Sequence, residues 1–142
     1  MKEAKITVLL IEAGKKPVKT EIDNSLESFQ KLVGGYIECT YPYEELVGLV
    51  CNENGKIDGL PMNRAMRTDY GKGEVYDIIC GTFFITGLGK NGNFRSLNDK
   101  EILQFGKIFY RPELFYRTAL GQLVIEPQTE ENHQKFRDQD ER

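Results

Sequence analysis

Histidine is almost missing from this chain: His133, in a polar C-terminal stretch, is the only one. A nucleophilic cysteine needs a basic partner, so a Cys–His pair is not expected. Cysteine is sparse too. Cys39, Cys51 and Cys80 lie far apart, each inside an apolar, strand-like run, with no CxxC pair. Zinc sites need clustered ligands, so no metal and no cofactor is expected, and reduced, buried thiols are. Basic charge is not in surplus. Lys and Arg number 19 against 22 Asp and Glu, a formal net of -3, which argues against generic binding to nucleic-acid backbone. No apolar run is long enough to span a bilayer. The apolar run Ile6 to Ile11 is also too short and too β-branched for a signal segment. A cytoplasmic protein without membrane contact is therefore expected. The carboxylates are scattered over loops, with no facing pair and no metal-loop spacing. Binding is expected ahead of catalysis.

The residues present fit one α+β domain over 1–125, followed by a polar tail over 126–142 that is too poor in apolar residues to order itself. Residues 4–12 read as a buried strand, Gly14 to Pro17 as a turn, and Val18 to Ile22 as an antiparallel partner. Asn24 with Glu27 has the capping-box pattern. Leu26, Phe29, Leu32 and Val33 recur at helical spacing, and Gly34-Gly35 supplies the stop. Tyr36 to Tyr43 and Leu46 to Cys51 read as strands. Asn54-Gly55 predicts a hairpin that returns through Lys56-Ile57. Leu60 to Arg67 reads as a loop or one helical turn, and Asp69 to Gly73 as a turn. Val75 to Thr86 is the most apolar run and reads as the central strand, or as two strands bent at Gly81. Ser96 with Asp99 predicts a second helix over about Leu97 to Phe109, with Ile102, Leu103, Ile108 and Phe109 inward. Leu114 and Phe115 pack in a further turn, and Ala119 to Ile125 reads as a short edge strand. The expected fold class is thus α+β: a mixed, mostly antiparallel sheet, two main helices and a disordered C-terminal tail.

Candidate binding residues gather around the central run. Arg64 and Arg67 offer planar donor forks suited to phosphate or carboxylate, and Asn63 can read a ligand edge. Tyr76 and Phe83 offer stacking faces, Gly81 a close backbone approach and Thr82 a hydroxyl. Structural alternatives stand beside them: Phe84 filling the core, Gly81 as a bulge, a solvated turn for Asn63, Arg64 and Arg67, and an ion pair of Asp77 with Arg64 or Arg67. Tyr41-Pro42-Tyr43-Glu44-Glu45 reads either as a turn with two packed tyrosines or as an exposed aromatic-acidic contact surface. Gly87, Gly89 and Gly92 match GxGxxG by letters, but no βαβ unit surrounds them, and Lys90 is followed by Asn rather than Ser or Thr.

Three blocks, EIDNSLESFQKLVGGYIE, GLPMNR and YDIICGTFFITG, resemble the domain-of-unknown-function family numbered 3846, over about residues 5–115. Domains of that family occur in phages and mobile elements, and the resemblance brings no catalytic residues. It implies an accessory protein with a counter-defence role. Such a protein would bind a small anionic, nucleotide-like ligand, or a host defence protein as an inhibitor module. A small nucleotide-acting enzyme is the remaining alternative. Oligomeric state is not legible.

Overall fold

The computed structural model describes residues 4–129. Strand Lys5–Ile11 (β1) is apolar on both faces, because both are covered. Ile6 and Val8 join one core cluster and Leu9 and Ile11 another, as the two-residue side-chain period of a strand requires. Strand Val18–Asp23 (β2) returns antiparallel to it through a turn in which Gly14 has a φ of 77°.

Helix Leu26–Val33 (α1) starts at Ser25, whose hydroxyl accepts from the Ser28 N–H at 3.2 Å. Asn24, the expected cap, is instead buried, and its own N–H donates to the Ala4 carbonyl. Gly34, left-handed at φ 78°, ends the helix as its sequence predicts. Phe29 and Val33 then pack on Ile6, Val8 and Phe84.

Strands Ile37–Thr40 (β3), Val47–Asn52 (β4), Phe83–Leu88 (β7) and Phe94–Arg95 (β8) complete a six-stranded sheet. Its order is β2-β1-β7-β4-β3, with β8 also pairing β7, and its pairings are antiparallel. α1 covers one face. The other face carries helix Asp99–Ile108 (α3) and a second layer, strands Met62–Arg67 (β5) and Val75–Cys80 (β6), paired antiparallel. Met66, Ile79 and Phe105 share that core with Leu9, Leu49 and Phe83. A single turn at Thr68–Gly71 (α2) joins β5 to β6. A hairpin of Glu113–Arg117 (β9) and Leu123–Pro127 (β10) closes the described chain.

The α+β class, the mostly antiparallel pairing and the two main helices are as expected. Several local expectations are corrected. Met62–Arg67 is a strand, not a loop or helical turn. The apolar run 75–86 is not one central strand but, as the other reading has it, two strands divided at Gly81 (φ 91°), and these lie in two different layers. No strand returns after Asn54-Gly55; a hydrogen-bonded turn runs on to Gly59, and Gly55 lies directly against the Cys80 carbonyl with no room for a Cβ. α3 is capped by Asn98 with Glu101, while the Ser96 hydroxyl accepts from the Thr7 N–H. Leu103 is 62% exposed, and Phe105 takes its place in the core. Glu113–Arg117 is a strand rather than a turn. β10 extends through Glu126 and Pro127, which the sequence assigns to the tail; the rest of that tail from residue 130 lies outside the described residues.

Candidate functional site

The polar cluster of β5 is not a surface. Asn63 and Arg64 are 0% and 1% exposed. The Asn63 amide donates to the carbonyls of Ile11 and Gly81, both at 2.9 Å, and its Oδ1 accepts from Arg64 Nη1 at 2.8 Å. Arg64 Nε and Nη2 both donate to the Phe109 carbonyl, at 3.2 and 3.1 Å, and Nη2 also donates to the Lys15 carbonyl at 2.6 Å. Phe109 caps the C-terminus of α3, where the helix dipole is negative and a cation is favoured. Burial pulls the Arg64 guanidinium down to about 10, with Glu113 acting the other way, so it is charged at neutral pH. The pair is a buried brace joining the β1–β2 turn, β5, Gly81 and the end of α3. A guanidinium committed to carbonyls on every side has no donor for a ligand, which corrects the assignment of Asn63 and Arg64 as binding residues.

Three more expected site residues are structural or lie apart. Phe83 is fully buried and meets Phe109 edge-on at 5.3 Å. Gly81 is the reversal between β6 and β7: its N–H donates to Pro61, and an added Cβ would lie 2.7 Å from a Leu60 methyl. Thr82 lies in the same reversal, half-buried. The expected ion pair of Asp77 also changes hands, since Asp77 pairs with Lys56.

Arg67 and Tyr76 do come together. They line a cleft of about 460 Å3 with Tyr43, Glu44, Asp69 and Tyr70. Tyr43 packs on Phe105 at 4.8 Å and stacks with Tyr70 at 5.5 Å, the rings 23° apart. Burial, followed by Tyr76, Tyr70 and Glu45, pushes the Tyr43 hydroxyl well above the usual phenol range. The Tyr70 hydroxyl donates to Glu45 Oε1 at 2.9 Å, and the Gln104 amide donates to Oε2 at 2.9 Å. The Gln104 bond leads in holding the Glu45 carboxyl below its ordinary value. Tyr76, 56% exposed, supplies an open ring face.

Backbone strain places Tyr70 there. Asp69 and Tyr70 both have left-handed dihedrals, with φ 52° and 53°, ahead of Gly71 at 91°. A left-handed residue other than glycine costs about 1–2 kcal/mol, and such costs concentrate at functional sites. Thr68 holds the turn closed. Its N–H donates to Glu74 O, its carbonyl accepts from Gly73 N, and its hydroxyl accepts from Glu74 N.

The cleft continues along β6. A neighbouring hollow of about 290 Å3 shares Pro42 and Tyr76 and is floored by Leu49, Cys51, Met66 and Ile79. A third, of about 340 Å3, carries on past Glu38 and Asp77 to Glu53 and Lys56. β6 forms one side of it, and the other is made by Glu38 of β3, the end of β4 and the turn 53–57; β3 and β6 are each the last strand of their sheet. Charge along it is lopsided. Arg67 is paired with Glu113 at 2.9 Å and Lys56 with Asp77. Among the described residues, the side chains of Glu38, Glu44, Glu53 and Asp69 have no cationic partner within 4 Å. The thiols are poor nucleophiles: burial leads in pushing Cys51 up to about 11, and it raises Cys39 and Cys80 as well.

Sequence reasoning found Arg67 and Tyr76 but not Glu44, Asp69 and Tyr70 as their partners. The signal for Tyr43 and Glu44 was the aromatic-acidic stretch; of its two tyrosines read as packed, Tyr43 is packed and Tyr41 is exposed.

The sequence model of the domain of unknown function DUF3846 matches residues 6–110, most of the chain. The chain belongs to the DUF3846 family. No curated protein and no solved structure matches it. In this DUF3846 chain the matched span includes β1 through α3, hence every wall of the cleft, and stops before the β9–β10 hairpin. No helix among the described residues is long and apolar enough to cross a membrane.

Proposed function

We propose that this DUF3846 protein is a binding module that docks an extended segment of another protein into the cleft between β3 and β6. The observation that carries this is the pairing of two sheet-terminal strands as the walls of one continuous groove, with an exposed tyrosine face at one end. Sheet edges present unpaired backbone donors and acceptors, and adding a strand to such an edge is a recurring mode of peptide recognition. The family's occurrence in phages and mobile elements makes a host defence protein the proposed partner, met in the host cytoplasm. A photo-crosslinking residue in place of Tyr76 should capture a defined host protein, whereas the same residue in place of Leu26, on α1 across the sheet, should not. Equal capture from both positions, or none from position 76, would remove the docking reading.

One observation favours a small nucleotide-like ligand instead: Arg67 and Tyr76 share the cleft, so a phosphate could meet one and a base the other. That phosphate would compete with Glu113 for the guanidinium. Native mass spectrometry tests it directly. A nucleotide released at one per chain, and lost in Arg67→Ala, would displace the docking reading.

A further inference from the structure

We propose that the segment taken by this cleft is basic, and that the tyrosine end is a subsite for one of its lysine or arginine side chains. The inference rests on the docking reading and gives its partner a chemistry. Two groups of residues carry it.

At the tyrosine end, the aromatic faces are not matched by a free cation. Arg67, the one basic side chain lining that part among the described residues, is held by Glu113. Glu44 and Asp69 stand at the rim exposed, and their carboxylates have no hydrogen-bond or ion-pair partner among the described residues. Tyr70 and Tyr76 supply ring faces beside them, Tyr70 oriented by its bond to Glu45 and by its stack on Tyr43. An ammonium or guanidinium over an aromatic ring is attracted by the ring quadrupole, and two uncompensated carboxylates add to that attraction. An anionic group in the same place would face both carboxylates and find Arg67 already paired.

Farther along, the same imbalance persists. Glu38 and Glu53 line the groove beside β6 unpaired, and Asp77 and Lys56 cancel one another. β6 spans six residues, about 20 Å of extended chain at ~3.3 Å per residue. That is room for an extended segment whose alternate side chains point to the acidic wall. The left-handed turn at Asp69 and Tyr70 belongs to this subsite: it brings a carboxylate and a ring from adjacent residues to the same rim. Complementary potential of this kind steers association and sets specificity, and it weakens as salt is added.

The probe is a short synthetic peptide alternating arginine with valine, titrated against the full chain by fluorescence anisotropy, beside the same peptide with glutamate for arginine. The arginine peptide should bind, lose affinity as salt rises, and lose about tenfold, or ~1.4 kcal/mol, in the double variant Glu44→Gln, Asp69→Asn. Tyr76→Ala should lose a similar factor. The control is Glu21→Gln, Glu27→Gln, exposed carboxylates that line a hollow beside α1 at the β2 end of the sheet, away from β3; it should bind as the unaltered chain does. Because both rim carboxylates are exposed and unpartnered, the rim variant should melt with the unaltered protein, so lost binding reports lost contacts. Equal binding of the two peptides, or an equal loss in the Glu21, Glu27 control, would overturn the cationic subsite. The docking reading fails separately. If residue 76 crosslinks a defined segment that lacks lysine and arginine, docking stands and the basic partner does not.

Discussion

Arg64→Ala should lower the melting temperature by about 10 °C, the equivalent of about 3 kcal/mol at roughly 3 °C per kcal/mol for a chain of this size. The loss follows from what the guanidinium leaves behind. The carbonyls of Phe109 and Lys15 and Oδ1 of Asn63 all accept from it inside the protein. A buried acceptor stripped of its donor costs about 1–3 kcal/mol. Truncation also opens a cavity where one of the largest fully buried side chains had been. Arg64→Lys separates charge from geometry: one ammonium cannot serve a planar fork that spans α3, the β1–β2 turn and β5. It should recover less than half of the loss. A melting temperature unchanged in Arg64→Ala, with binding lost, would return this residue to a surface role.

The second large effect is expected at Glu101. Its carboxylate accepts from both Nη atoms of Arg95, at 2.9 and 3.0 Å, and from the Asn98 N–H at 3.0 Å. Arg95 in turn donates to the carbonyls of Leu88, Leu46 and Ser96. The pair therefore locks the start of α3 to the ends of β4 and β7. The Arg95 hydrogen bonds lead in holding the Glu101 carboxyl below its ordinary value, with burial opposing. For a carboxyl whose folded-state value is depressed, the stabilisation is fully present above the unfolded-state value, near 4.5, and is lost as pH falls through the folded one. Glu101→Gln keeps the size and one acceptor but removes the charge. It should cost about 2 kcal/mol at neutral pH by chemical denaturation, as expected for hydrogen bonds to a charged group. The gap between the two proteins should close as the pH is lowered below that unfolded-state value. A constant gap from neutral to acid would mean that packing, not the ion pair, sets the cost.

Local signals in the sequence were sufficient where local geometry decides the structure. The β1–β2 turn, the Gly34 stop and the strands 5–11 and 47–52 follow from turn chemistry and apolar pattern alone. β5 did not, because its inward residues include Asn63 and Arg64, which look like surface. They become core residues only once Ile11, Lys15, Gly81 and Phe109 bring carbonyls to them across 18 to 52 positions of chain. No window of sequence contains that compensation. The Asn54-Gly55 hairpin failed for a similar reason, since Gly55 serves a close approach to the Cys80 carbonyl rather than a two-residue reversal. α3 was misphased by two residues. Asn98 with Glu101 satisfies the capping pattern as well as Ser96 with Asp99 does, and the Ser96 hydroxyl is engaged with β1. The cleft was half legible: Arg67, Tyr76 and the aromatic-acidic stretch stood out, while Gly71 and Gly73 marked the joining segment only as a turn and nothing marked the left-handed backbone of Asp69 and Tyr70.

The division of one apolar run between two layers also sets where the molecule opens first. β7 lies inside the six-stranded sheet, bonded to neighbours on both sides and buried from Phe83 to Gly87. β6, two residues earlier, has a single strand partner and an exposed first half. Amide protons of β7 can exchange with solvent only when the whole sheet comes apart, whereas those at the start of β6 are released by small, frequent fluctuations of an edge. Gly81 therefore marks a step in local stability within a dozen residues. The β6 side of the groove lies on the yielding side of that step, so the strand proposed to dock there would be accommodated by movement of β6 against a fixed six-stranded sheet.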